Sequence, residues 1–352
     1  MRFLIPALAV LLSISSPAIA APLDTKHIPA DTKWLVHIDF DALRESSLGQ
    51  QLSQDLFAGR GAGAKFKRMQ EELGIESTSD LHSVTLFDTR FQRHHGLMMI
   101  RADNLDLQLM TEKLKQKQSN LSVTEYHGHT LYSWTRAAGK KYEHEVTGCL
   151  YQSDTLLVSR DIDVLKRTIE VLDGTSESLS ADSPLAGPTT PGTIMCVRSK
   201  GLVTHDLQFR SAFMRQSNRF AMSLGERDGQ VHLHAELDAK SEAAAERFGK
   251  IVESFRGIGI ARTSSDEASQ QVFEGLSVTV NETLVEANWE MSPDDAQRMI
   301  AAMKKHRQQR YLRYRMRREK KAMEARAKRE AEAATKSQDT AQQESSSKDN
   351  AE

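Results

Sequence analysis

Four times along this chain, two segments of strand length are followed by one of helical periodicity, and that recurrence restricts the fold more than any other feature. Near 84–117, "SVTLFDTR" and "HGLMMIRA" precede "NLDLQLMTEKLKQK", where Leu107, Met110 and Leu114 recur at helical spacing. At 147–173, "VTGCLYQSDTLLVS" turns about Ser153 and Asp154 and leads into "DIDVLKRTIEVLDG", opened by Asp161 and closed by Gly174. At 218–256, "RFAMSLGERDGQVHLHAEL" turns at Asp228-Gly229, a pair that tolerates the positive φ of a two-residue hairpin loop. Its helix carries Ala244, Phe248, Ile251, Val252 and Phe255 as one apolar stripe. At 276–304, a hairpin about Asn281-Glu282 precedes a helix with Ser292 as cap, Pro293 in first position and two acids behind it.

The four copies differ in sequence, so the repeat is one of topology. An extra hairpin, "LSVTEYHGHTLYSWTR", enlarges the first set of strands. Consecutive hairpins with interposed helices predict an α+β fold, with two lobes of antiparallel sheet covered by helices on one face. The lobes are expected at 21–172 and 193–303. Between them, 173–192 is rich in Ser, Gly, Thr and Pro and too long for an ordinary loop, so it is expected to be a linker. The opening strand, "KWLVHIDF", puts Trp34, Val36, Ile38 and Phe40 on one face, taken as the core face, and His37, Asp39 and Asp41 on the other, taken as wet. Asp39 or Asp41 then caps the helix that starts near Ala42.

The ends of the chain carry the addressing information. Residues 1–20 have Arg2, an apolar run and small residues at Ala18 and Ala20, the layout of a secretory signal peptide. The run is shorter than the roughly 20 residues of a membrane span, so no transmembrane span is expected in the mature, exported chain. Export permits disulfides, and Cys149 and Cys196 are the two cysteines; whether they pair is open at this level. The overall charge of −1 is segregated: residues 304–329 carry +11, residues 330–352 carry −4, and residues 1–303 therefore −8.

From 304 to about 334 the chain is dominated by good helix formers and reads as a basic helical extension, followed by a disordered tail at 335–352. Lys304, Lys305, Arg307, Arg310, Arg313, Arg315, Arg317, Arg318, Lys320 and Lys321 form its cationic surface. Such charge needs a polyanion: an anionic membrane surface or an envelope polymer suits an exported chain, and nucleic acid ranks below both.

The body offers little reaction chemistry. Gly59, Gly61 and Gly63 lack the spacing and the preceding strand of a phosphate loop. "HEVTG" at 144–148 begins like a zinc-protease helix but has Gly148 where the second histidine belongs. His127 with His129, and His232 with His234, sit two apart, so on a strand each pair faces one way and could share a metal with a carboxylate from elsewhere. A turn at Gly128 and a wet sheet face account for them as well. No cofactor motif is present.

The stretches "PADTKWLVHIDFDALRESSLGQQL", "LGIESTSDLHSVTLF" and "YHGHTLYSW" give the chain its likeness to known sequences. It resembles a group of exported α+β proteins of planctomycete-type bacteria, over most of residues 29–290. The resemblance implies export and a globular body, and no activity. The sequence therefore favours a non-enzymatic envelope or extracellular interaction protein with a basic helix as tether. The alternative is a hydrolase or metal-dependent enzyme whose site converges from the two lobes.

Overall fold

The computed structural model describes residues 22–50, 71, 75, 78–92, 95–117, 120–136, 143–187, 190–201, 215–262, 267–301, 312–319 and 322–324. The expected signal peptide, Gly59, Gly61, Gly63 and the tail at 335–352 lie outside them. The chain forms two units, Met1–Ala296 and Gln297–Glu352.

In the first unit the strands are β1 (Trp34–Asp39), β2 (Leu81–Asp88), β3 (Leu97–Ala102), β4 (Ser122–Tyr126), β5 (His129–Arg136), β6 (His144–Gln152), β7 (Thr155–Ser159), β8 (Thr193–Lys200), β9 (Ser217–Arg227), β10 (Gln230–Ala239), β11 (Leu276–Asn281) and β12 (Leu284–Met291). The described helices are α1 (Phe40–Glu45), α2 (Leu107–Lys117), α3 (Ile162–Leu172), α4 (Glu242–Arg262) and α5 (Glu267–Glu274).

All twelve described strands join one antiparallel sheet in the order β11-β12-β10-β9-β8-β1-β2-β3-β7-β6-β5-β4. The expected α+β architecture is present, and the four strand-strand-helix repeats are β2-β3-α2, β6-β7-α3, β9-β10-α4 and β11-β12 with the helical residues 293–301. The two groups of hairpins are halves of a single sheet, joined where β1 pairs β8 from Trp34↔Ser199 to Ile38↔Met195.

Helix placement follows from strand character. In the first half, runs such as "TLLV" bury adjacent residues, Leu156 and Leu157, so both faces of the sheet are covered. Met110 of α2 packs with Leu81, Ile100 and Leu156 on one face. Val164, Leu165 and Ile169 of α3 pack with Leu35, Phe87, Leu97, Cys149, Leu157 and Cys196 on the other. In the second half, α4 packs its Ala244, Ala245 and Phe248 against Leu237 and Val285, and the opposite face of those strands is polar.

Local sequence explains the turns. His127-Gly128 (φ 50° and 81°) and Asp228-Gly229 (φ 53° and 72°) close two-residue loops in the left-handed region. The last hairpin turns one residue later than expected: Asn281 pairs Leu284, so Glu282, at φ 52°, and Thr283 form the loop. Asp39 caps α1 by accepting from the Ala42 N–H at 2.8 Å, and Asp161 caps α3 by accepting from Asp163 at 3.0 Å. Ser292 Oγ accepts from the Asp295 N–H at 3.2 Å, as the Ser-Pro start implied.

Three further expectations are corrected. The β1 face carrying Leu35, His37 and Asp39 is the buried one, with His37 3% and Asp39 2% exposed, because that is the side on which Leu35 joins the core under α3. Burial is tolerated because the polar groups are bonded: His37 Nδ1 lies 2.9 Å from Thr85 Oγ1, and Asp41 pairs with Arg44 and His82. The stripe on α4 is split, with Ala244 and Phe248 buried and Ile251 and Phe255 exposed, Phe255 resting edge-on against Phe273 and Trp289. In the expected linker, the described residues 173–187 are packed down: Leu179 and Leu185 are buried in the α3 core, and Pro29 bridges Ser178.

Cys149 and Cys196 are both free and buried, on β6 and β8. Five strand spacings, about 24 Å, separate those strands, far beyond disulfide reach. Burial pushes the Cys149 thiol up to about 12 and raises that of Cys196, so neither is a nucleophile at neutral pH.

Candidate functional site

The candidate histidines fall in two places. His127 sits at φ 50° in the β4–β5 turn, exposed and stacked on Tyr126. His129 stacks on Tyr151 and places Nε2 3.1 Å from Asp173 at the end of α3, whose carboxylate also accepts from Tyr151 Oη at 2.9 Å. These are local ties that pin α3 to the sheet edge; the two rings do not face one ligand position. "HEVTG" lies in strand β6, which removes the zinc-protease reading outright.

His232 and His234 are on β10, eight strand spacings or about 38 Å across the sheet from β5. The four histidines therefore cannot build one centre. On the polar face of the second half, β10 contributes His232, His234 and Glu236, β12 contributes Glu286, Asn288 and Glu290, and β9 contributes Arg219 and Ser223. The registers His232↔Glu290, His234↔Asn288 and Glu236↔Glu286 set these side chains directly opposite one another.

Contacts across that face are specific. His232 Nδ1 lies 3.3 Å from Glu290 Oε1. The His234 ring lies 2.6 Å from Asn288 Oδ1 through Nδ1 and 3.0 Å from Glu236 Oε1 through Nε2. Arg219 donates to Glu236 Oε2 at 3.1 Å, and Thr279 donates to Glu286 Oε2 at 3.4 Å. Burial acts to lower the pKa of His234. The hydrogen bonds to Glu236 and Asn288 and the charges of Glu236 and Glu286 together outweigh it and hold the pKa above the ordinary value. His232, His234 and Asn288 line a cleft of about 210 Å³ that also takes in Gly192 and Gly225. A volume below the 300–1,000 Å³ usual for organic ligands suits a small group.

Sequence reasoning named His232 and His234 and missed Glu236, Glu286, Asn288 and Arg219. The alternation in "HLHAEL" and "LVEANWEM" places each set on one face. The pairing of β10 with β12 was the missing step.

Of the ten cationic residues expected on the extension, Arg313, Arg315, Arg317 and Arg318 are described, and each is exposed on the helical residues 312–319. Lys304, Lys305, Arg307, Arg310, Lys320 and Lys321 lie outside the described residues. Arg315 pairs with Glu319 at 2.8 Å, one helical turn on. Leu312, Tyr314, Met316 and Met323 are exposed as well. Among the described residues, no helix is long and apolar enough to cross a membrane.

No protein-family model matches the sequence, and comparison with curated proteins finds no match. Among solved structures the chain is similar to TP0453. Crystal form III gives 10% identity over 80% of this chain and 99% of that one, with a TM-score of 0.43. Crystal forms I and IV give TM-scores of 0.39 and 0.40 at the same identity.

Proposed function

We propose that the protein is an exported, non-enzymatic interaction protein of the envelope or extracellular space, held to an anionic surface or polymer by its cationic C-terminal helix. Export is supported by the signal-peptide layout of residues 1–20 and by the resemblance of residues 29–290 to exported planctomycete-type proteins. The observation that carries the reading is the exposed helical stretch 312–319 and 322–324. At 100° per residue along 312–319, Leu312 and Met316 fall within about 40° of one another, Arg313, Arg315, Arg317 and Arg318 share the remaining arc with Tyr314, and Glu319 borders the strip. A narrow apolar strip between arginines is the pattern of a helix lying in a lipid interface, where apolar contact and charge attraction add.

Cosedimentation with vesicles tests this. The full chain is expected to bind vesicles rich in anionic lipid, to ignore zwitterionic ones and to dissociate as salt rises. Each arginine near such a surface contributes about 1 kcal/mol, so R313Q/R315Q/R317Q/R318Q together should weaken binding by about 4 kcal/mol, roughly a thousandfold. Deleting 304–352 should abolish it. Unchanged retention after that deletion refutes the assignment, and binding to a soluble polyanion without binding to vesicles moves the same helix onto an envelope polymer.

A further inference from the structure

The ring of His234 meets an acceptor at each nitrogen. Asn288 Oδ1, a carbonyl oxygen, lies 2.6 Å from Nδ1 and takes that N–H, which leaves Nε2 aimed at Glu236 Oε1, 3.0 Å away. A nitrogen lone pair does not rest against a carboxylate oxygen, so a cation must lie between them, either a ring proton or a metal ion. Glu286 stands directly opposite Glu236 in the β10–β12 ladder, a like-charge pairing that strands avoid unless something offsets it. One ligand atom from each of His234, Glu236 and Glu286 lies within 4.8 Å of the other two.

We propose that His234 Nε2, Glu236 and Glu286 form a divalent-cation site of the zinc class, with one position open to water. One imidazole with two carboxylates is a mixed nitrogen and oxygen set, which suits zinc; calcium asks for six to eight oxygens, and magnesium keeps mostly oxygen and water. A tetrahedral shell with bonds of about 2.0–2.1 Å spaces its ligand atoms about 3.4 Å apart, so closure takes roughly an ångström of movement in two half-buried glutamates. The supporting contacts are those a metal centre needs. Asn288 fixes the ring tautomer that leaves Nε2 free, while Arg219 and Thr279 bond the outer oxygens of the two carboxylates. The three side chains are half-buried on the polar sheet face, so water supplies the fourth ligand; the cleft of about 210 Å³ touches His234 but neither glutamate. The Arg219 charge opposes the metal, so Zn²⁺ binding is expected to be weaker than at an all-anionic site.

Calorimetric titration of the chelator-stripped full chain with Zn²⁺ is the test. One saturable equivalent per chain is expected, lost in H234A and in the near-isosteric E286Q, weakened about 10–100-fold in N288A, and unchanged in H129A, whose ring belongs to the far side of the sheet. Thermal unfolding of each variant without metal checks that the fold survives, and E286Q, which keeps the side-chain shape, carries the decision if H234A does not fold. Absence of a saturable equivalent, or one that survives both H234A and E286Q, overturns the proposal. The variants leave the cationic helix intact, so vesicle binding is expected to be unchanged in all of them.

Discussion

His82 shows how this body tolerates charge beneath its helices. Its Nδ1 lies 3.0 Å from the buried Asp41 carboxylate and its Nε2 3.0 Å from Asp103. Burial acts to lower its pKa, and the hydrogen bonds and charges of Asp103 and Asp41 more than reverse that, so the folded pKa stands above the ordinary 6.5. The protonated ring is the form that the fold prefers. Its contribution is therefore complete below about pH 6.5, the unfolded value, and is lost as pH rises through the higher folded value. Urea denaturation of wild type and H82Q should show the wild type's advantage at pH 6 shrinking by pH 8.5. An advantage independent of pH would mean that the ring acts by packing alone. Asp41 also pairs with Arg44, so the buried carboxylate keeps one cation after the ring has lost its proton.

Among the elements, the connection between the sheet halves departs furthest from its composition. Residues 173–187 look like a linker, yet Leu185 is fully buried and Arg198 donates to its carbonyl at 2.8 Å. Leu185→Ala should therefore cost about 2–5 kcal/mol in chemical denaturation, as at any core leucine. A loose connection would show less than about 0.5 kcal/mol. The same contrast explains how far the sequence could be read. Hairpins closed by Asp228-Gly229 and His127-Gly128 were legible because two-residue loops fix register locally. The core side of β1 was misjudged because its buried face mixes Leu35 with the bonded polar groups His37 and Asp39, while the half-buried face carries Trp34, Val36 and Ile38, so apolar alternation points to the wrong side. The stripe on α4 was overdrawn: Ile251 and Phe255 have helical spacing, but the buried core under α4 takes in Ala244, Ala245 and Phe248, and both Ile251 and Phe255 stay exposed. At the candidate site, His234 and Glu286 are about 50 residues apart in sequence. α4, α5 and β11 intervene between their strands, and no local signal records that β10 pairs with β12.

At the scale of the whole body, one sheet carries both sets of repeats, and the join is as buried as any other part. β1 pairs β2 on one side and β8 on the other, and the α3 core combines Leu35 of β1, Cys196 of β8 and Leu157 of β7. Unfolding either half would strip a neighbour from β1 or β8 and expose His37 and Cys196, which are 3% and 0% accessible. That coupling predicts a single cooperative transition for the body. The three tryptophans are suitably placed to test it, Trp34 on β1, Trp134 on β5 and Trp289 on β12. In variants that retain only Trp134 or only Trp289, the others replaced by phenylalanine, the fluorescence transition in urea should coincide with the far-ultraviolet dichroism transition of the same protein. Independent halves would instead give dichroism in two steps, with each tryptophan following only one of them. Comparing the two probes within one variant removes the difference in stability between variants, so a split transition would show directly that the β1–β8 ladder does not couple the two sets of hairpins.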